Sequence, residues 1–513
     1  MVRPVRKVVI VGGGTAGWLT AGVIAARHRS RMPAGFSVTL VESPNIPPIG
    51  VGEGTWPTLR STLARIGVSE TDFFRECDAA FKQGAWFARW TRNAASDGYY
   101  HPLMLPQGFS QLNLVPYWLA EGGQQSFCDA VCPQGRLCDD GLAPKTVATA
   151  EYDAVANYSY HLDAGKFGAF LQRHCCEKLG VQHVRADVRR ALLAEDGDIR
   201  ALDTVQAGEI EGDLFVDCTG FKSLLLGETL GVPFKSCRDV LFCDTALAVQ
   251  VPYESQNSPI ATHTISTAQP AGWIWDIGLP TRRGTGHVYS SRHISDEDAE
   301  RQLRAYLGPA GKDLPVRKIG ISGGHRETFW KRNCVAVGIA AGFLEPLESS
   351  AIVLVEMSAK LIAEQMPTCR EVMDVIAARF NSTTTYRWGR IIDFLKLHYV
   401  LTQREEPFWR DNCLPETIPE RLQNLLLLWR HQSPWYHDEF DRIEEVFPAA
   451  SYQYVLYGMG FRTEVTPDLL VRDASLAERA LRENAIQTDR LRTRLPRHRD
   501  LLRQIVQQGL QPV

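Results

Sequence analysis

The stretch Lys7-Val8-Val9-Ile10-Val11-Gly12-Gly13-Gly14-Thr15-Ala16-Gly17-Trp18 decides how this chain begins to fold. Its first five residues form a short apolar run of the kind buried on both faces in a parallel sheet. The glycines make a turn, and Trp18 to Arg27 has helical composition with Ala and Leu on one face. A second strand, Phe36 to Val41, ends at Glu42. Gly12, Gly14 and Gly17 fit the spacing G-x-G-x-x-G, with Thr15 and Ala16 between the last two. The first glycine permits the tight turn, and the second lets the backbone approach a pyrophosphate. The third allows close packing of helix on strand, so that the helix N-terminal amides face the phosphates. Glu42 stands where an acid accepts hydrogen bonds from a ribose hydroxyl. A glycine turn without a ligand would not need the strand, the helix and the acid together.

The fingerprint occurs once, whereas an enzyme joining a flavin to a nicotinamide through two Rossmann units would show two. Far downstream, Val337-Gly338-Ile339-Ala340-Ala341-Gly342 follows Asn333-Cys334-Val335-Ala336 and reads as another close backbone approach. Two separated glycine-rich approaches to one extended ligand suit FAD better than NAD. Tight packing of a strand on a helix would also explain the second.

Composition narrows the partners. The chain has 513 residues, 44 % apolar and 22 % charged, and a net charge of −3. It offers no basic field for nucleic acid or an anionic membrane. The apolar run Val8 to Ala26 is broken by three glycines and followed by no small-residue cleavage pattern, so it is not read as a signal peptide. No stretch of about 20 apolar residues predicts a membrane span, and a cytoplasmic location is expected. Of twelve cysteines, Cys128, Cys132 and Cys138 have a loose metal-like spacing. Without a CxxC or a paired His motif they read as reduced thiols, and no metal is expected. Residues 70–155, rich in aromatics, Gly and Pro, read as an insertion carrying active-site loops. Residues 180–220 and 240–295 alternate as strands do; from Asp374 onward amphipathic segments predict a mainly helical part. The tail from Ser475 reads as a solvated helix.

Several further segments belong together. They are Gly50-Val51-Gly52-Glu53-Gly54-Thr55-Trp56-Pro57, Tyr160 to Gly165, Val216 to Phe221, Gly342 to Ser350, and Arg390 to Phe394 with His398-Tyr399. With Phe81-Lys82-Gln83-Gly84 and Trp273-Ile274-Trp275-Asp276-Ile277, they resemble the flavin-dependent tryptophan and indole halogenases over most of the chain. The family's W-x-W-x-I-P is met except at its end, where Gly278 replaces proline. The resemblance implies an α/β fold: a Rossmann-like FAD-binding domain of the flavin monooxygenase type with a strand-rich part and a mainly helical C-terminal subdomain. On this reading residues 1–365 form the FAD domain, with the insertion at about 70–155, and residues 366–513 the helical subdomain completing the substrate site.

The same resemblance implies roles. Lys82, in an aromatic setting with Trp86, Phe87 and Trp90, inherits the part of the catalytic lysine, and Glu348 that of the active-site glutamate. Gly12, Gly14, Thr15, Ala16, Gly17, Glu42, Gly52, Val188, Ile339, Gly342 and Ile352 are expected to bind FAD, delivered as FADH2. Ser350 and Ala351, opening a helix after Pro346, offer backbone amides to chloride or bromide. His101 and Leu103, with Trp273 and Trp275, are the expected substrate contacts, the tryptophans walling flavin from substrate. No nicotinamide site is evident, which implies a separate NAD(P)H-dependent flavin reductase as partner, the enzyme being a monomer or homodimer.

In the halogenases of free tryptophan a C-terminal lid reads the amino and carboxylate groups. Ser451 to Phe461 lacks an obvious Glu and Trp pair for that task, so indole or a substituted indole is the expected small aromatic substrate, with a larger aromatic or a peptide-bound tryptophan as the alternative. Two other readings stand beside this one. An FAD-dependent aromatic hydroxylase would transfer oxygen directly to the ring and make Lys82 dispensable. A non-catalytic flavin-binding protein would have no use for Lys82 and Glu348.

Overall fold

The computed structural model describes residues 3–46, 52–436 and 445–512. Its internal contacts group the chain into two units, each assembled from three separated segments. The first comprises Met1–Ala79, Leu162–Cys237 and Ser322–Trp388. The second comprises Ala80–His161, Arg238–Ile321 and Gly389–Val513. Each unit thus interleaves along the chain with the other. Strand pairing across long sequence separations assigns segments to units, and local composition does not announce such pairing.

In the first unit a six-stranded sheet runs Trp330–Lys331, Cys334–Ala336, Leu214–Asp217, Lys7–Val11, Ser37–Glu42, Gln182–Arg185. Lys7–Val11 lies at its centre, parallel to both neighbours, with Val9 opposite Phe215 on one side and Thr39 on the other. Val8, Val9, Ile10 and Val11 are buried, as an apolar strand in the middle of a parallel sheet requires. The helix Thr15–His28 follows the glycine turn and packs against the helices Ala164–Leu179 and Ser350–Glu364. Gly22 permits one of these contacts, since a Cβ there would lie 3.1 Å from Cys175 Sγ. Two three-stranded antiparallel sheets also lie in this unit, one from Val188–Leu193, Ile199–Thr204 and Gly208–Glu211, the other from Phe234–Ser236, Gly324–Arg326 and Gly342–Phe343.

The second unit is built on a seven-stranded sheet in the order Arg317–Gly320, Thr245–Pro252, Arg282–Tyr289, Gly272–Gly278, Thr264–Gln269, Gly84–Ala88, Gly98–Pro102. Its pairs are antiparallel except where Gly84–Ala88 joins Thr264–Gln269 in parallel. The helix Asp296–Leu307 buries Ala299, Leu303 and Leu307 against Leu247, Val249, Val251, Ile274 and Tyr289. Residues after Asp374 are mainly helical, as their periodicity predicts. The helix Ala474–Arg494 is more than a solvated tail. It buries Ala477, Ala480, Asn484, Thr488 and Leu491, and the Asn484 amide donates to the carbonyls of Asp129 and Ala130 at 2.9 Å.

Candidate active site

The three fingerprint glycines do different work in the first unit. Gly12 has a φ of +118°, and a side chain there would collide with the Cys218 carbonyl. A side chain on Gly17 would collide with the Gly12 carbonyl, so the helix seats directly on the turn. At Gly14 a Cβ would meet nothing within 4 Å. The loop is thus closed by its own backbone on one side and open at Gly14, beside the free amides of Thr15–His28. That is the cradle a pyrophosphate needs. Glu42 closes over Gly13 and meets His183 Nε2 at 2.9 Å.

The second glycine-rich segment reaches the first. Gly338 has a φ of +70°, and a Cβ on it would lie 2.7 Å from the Ala16 Cβ. Ile339 follows, half-buried. Gly342 has a packing reason of its own, because a Cβ would stand 2.5 Å from the Gly324 carbonyl. Gly52 and Val188 are half-buried and Ile352 is buried; Gly50 and Val51 lie outside the described residues. An open cradle at a helix N-terminus, an acid at the end of the neighbouring strand and a second close approach together fit an extended dinucleotide such as FAD.

Further along the same unit, Glu348 and Ser350 are buried, 2 % and 3 % exposed, and Ala351 is exposed. The Trp56 indole N–H donates to the Glu348 carbonyl at 2.7 Å. Between them Ser349 adopts φ 55° and ψ 37°, a left-handed conformation that costs a non-glycine residue about 1–3 kcal/mol. That kink starts the helix Ser350–Glu364, whose first-turn amides have no acceptor within the helix and carry the positive end of its dipole. One and a half turns on, Glu356 accepts from Thr62 at 2.6 Å and Thr58 at 3.1 Å. Burial pushes its carboxyl up to about 7, and desolvation does the same to Glu53.

In the second unit Lys82 is 2 % exposed. It ends the strand Ala80–Lys82, which pairs antiparallel with Ser159–Asp163, Lys82 opposite Ser159 and Ala80 opposite His161. The Phe81 N–H donates to His498 Nε2 at 3.1 Å, while His498 Nδ1 donates to the Ile260 carbonyl at 3.2 Å. The helix His498–Gln508 thereby fixes the strand that carries Lys82. Burial pushes His263 and His498 down to about 4. His161 falls well below its ordinary range through burial first, then through the charge of Lys82. Of the three imidazoles, His161 is the one on which the charge of the buried lysine acts.

His101 is buried, its Nε2 2.9 Å from Ser451 Oγ, with its ring against Phe394 and Tyr454. Leu103 donates its N–H to Gln134 Oε1 at 2.7 Å and accepts from Asn157 Nδ2 at 2.7 Å, so this loop is firmly held. Trp273 is buried beside Trp90, ring centroids 6.5 Å apart, and its indole N–H has no hydrogen-bond partner among the described residues. Trp275 is half-buried and lies over Gly286, where a side chain would collide with the indole. The pair shares one face of the strand Gly272–Gly278. Trp56, His161 and Ser349 lie within the segments that carry the resemblance, which gives them no role of their own, and His498 is a lone His with no spacing signal.

Fold and glycine loop together fit a Rossmann-type dinucleotide-binding protein. The family model for tryptophan halogenase matches residues 7–474. The chain is 34 % identical to the 7-chloro-L-tryptophan 6-halogenase KtzR of a Kutzneria species, over 96 % of this chain and 98 % of that one. It also resembles the crystal structure of a tryptophan halogenase from Shewanella frigidimarina, at 50 % identity and a TM-score of 0.96 over 99 % of both chains. BrvH, a flavin-dependent halogenase from a Brevundimonas species, aligns at 34 % identity with a TM-score of 0.86, over 98 % of this chain and 99 % of that one. The chain belongs to the tryptophan halogenase family and is a flavin-dependent halogenating enzyme. Among the described residues no helix is long and apolar enough to cross a membrane, no group of His, Cys, Asp and Glu could hold a metal ion, and the cysteines are free thiols.

Proposed function

We propose that this halogenase takes FADH2 from a separate NAD(P)H-dependent reductase and that Lys82 delivers halogen to an electron-rich, indole-type ring. The observation that carries the reading is the burial of Lys82, 2 % exposed, on a strand paired with the one that holds His161, whose imidazole feels the lysine's charge. When bound, the reduced flavin with oxygen supplies the chemistry that converts chloride or bromide to hypohalous acid. Gly12, Gly14 and Gly17, with Glu42 and the Gly338 approach, would hold it. The free amides of Ser350 and Ala351 receive the halide. Lys82 hydrogen-bonds the hypohalous acid or bonds its halogen, since a dry amine is a strong nucleophile. His101 and Leu103 flank the substrate. Glu348 stabilises the cationic ring and takes its proton, a role suited to a preorganised buried carboxylate.

Purified protein supplied with FAD, a flavin reductase, NADH and bromide should give monobrominated indole by mass, faster than brominated free tryptophan. Lys82→Ala and Glu348→Gln should each lower that rate about 10²- to 10³-fold while FAD affinity is kept. Full activity in Lys82→Ala, or bromide-independent addition of one oxygen to indole, would overturn the reading.

A further inference from the structure

We propose that His161 is a positioning residue for Lys82, relaying the lysine's proton when the amine takes halogen. This rests on the reading of Lys82 above. Lys82 and Ala80 face the same way on their strand, and Ala80 pairs with His161. His161 is therefore a diagonal cross-strand neighbour of Lys82 on one sheet face, about 7–8 Å away along the diagonal and within reach of a long side chain. It is completely buried, and Nε2 meets the Thr264 hydroxyl at 2.9 Å. That contact orients the ring, and the Gly278 main chain meets the same buried imidazole.

The other two histidines are less suited. His498 spends both nitrogens on the Phe81 N–H and the Ile260 carbonyl. His263 packs edge-on against Tyr100, centroids 5.3 Å apart, and the charges that act on it come from His498 and not from Lys82. Lys82's charge bears on His161, where the Gly278 main chain alone acts to favour protonation.

The step balances within the two side chains and the oxidant the enzyme makes. The Lys82 ammonium gives one proton to His161. The amine lone pair attacks the halogen of hypohalous acid, forming an N–halogen bond and breaking the O–halogen bond. The hydroxide that leaves takes the proton back from His161 and departs as water. Lysine keeps its single positive charge as an N-haloammonium until halogen passes to the ring carbon.

The test compares His161→Phe, His161→Gln and Lys82→Ala with the parent enzyme. Brominated indole is measured beside total oxidised bromide caught by an added thioether. In both His161 variants brominated indole should fall about 10²-fold, the range of one proton-transfer partner, while total oxidised bromide, FAD affinity and KM for indole hold. His161→Gln, able to keep the Thr264 contact, decides the matter should the Phe variant fold poorly. An inactive Lys82→Ala alongside a fully coupled His161→Gln would overturn this inference alone. An active Lys82→Ala would overturn the lysine reading itself.

Discussion

The indole N–H of Trp56 donates to the main-chain carbonyl of Glu348 at 2.7 Å, in the buried part of the first unit. The bond holds the residue just before Ser349, whose left-handed backbone aims the following helix N-terminus. Trp56→Phe keeps an aromatic ring but leaves the carbonyl buried without that donor, which costs about 1–3 kcal/mol. Urea unfolding should show a loss of that size, and KM for bromide should rise as the helix start relaxes. An unchanged midpoint and KM would show that the bond holds nothing in place.

Gly14 and Gly17 separate ligand binding from folding. A Cβ at Gly14 meets no protein atom within 4 Å, and its backbone is ordinary extended chain at φ −77°. Gly14→Ala should therefore melt like the parent yet bind FAD at least about tenfold more weakly, about 1.4 kcal/mol, because the methyl enters the pyrophosphate cradle. Gly17→Ala drives a methyl into the Gly12 carbonyl and should lower the melting temperature as well. Fluorescence titration with FAD beside thermal melts distinguishes the two.

These glycines show what the linear chain makes legible. Strand, turn, helix and acid at residues 7–42 are local, and their reasons can be named from spacing alone. The parallel pairing of Gly84–Ala88 with Thr264–Gln269 is not local, and nothing in either strand names its partner. The helix Ala474–Arg494 hides its buried stripe because two of its five buried positions are Asn484 and Thr488, set among many charges. Lys82 and Glu348 are visible only through family resemblance. His161 and His498 become meaningful once strand pairing and a C-terminal helix bring them near Lys82.

Glu356 should make the enzyme's stability pH-dependent in an uncommon direction. Burial raises its carboxyl from 4.5 to about 7 in the fold, so between those values the folded chain binds more protons than the unfolded one. Its contribution is present below about 4.5 and is lost as pH rises through about 7. Glu356→Gln stays neutral at all pH and can still meet Thr58 and Thr62. It should stabilise the protein by about 1–3 kcal/mol at pH 8 and change little at pH 5, by urea unfolding at both. Equal effects at the two pH values would refute the shift.

His498 works in the opposite sense. Burial lowers its imidazole from 6.5 to about 4, so the unfolded chain binds more protons between those values. Its neutral state supports the fold above about 6.5, and that support is lost as pH falls toward about 4. His498→Ala removes the acceptor for the Phe81 N–H and the donor to the Ile260 carbonyl, at about 1–3 kcal/mol. Halogenation should fall with unchanged FAD affinity, since the strand loosened is the one ending at Lys82. A variant with full activity and stability would show that the C-terminal helix does not hold that strand.

Gly278 stands where the halogenase motif has proline, and the structure shows why reverting it should harm this protein. A Cβ at Gly278 would lie 2.7 Å from Ile260 Cγ2 and 3.2 Å from both the Ala261 nitrogen and the Tyr253 hydroxyl. Ile260 is also the residue whose carbonyl receives His498. Gly278→Ala should therefore cost about 1–3 kcal/mol by overpacking. Gly278→Pro should cost more, because proline also removes an N–H from a residue paired with Arg283 inside the sheet. If displacement of Ile260 reaches Lys82 through His498 and Phe81, both variants should lose halogenation rate before they lose FAD. Thermal melts, FAD titration and bromination of indole at a temperature where each variant is folded resolve the order. A proline variant as stable and active as the parent would mean that Ile260 and Tyr253 yield freely, and that the glycine has no packing reason to be there.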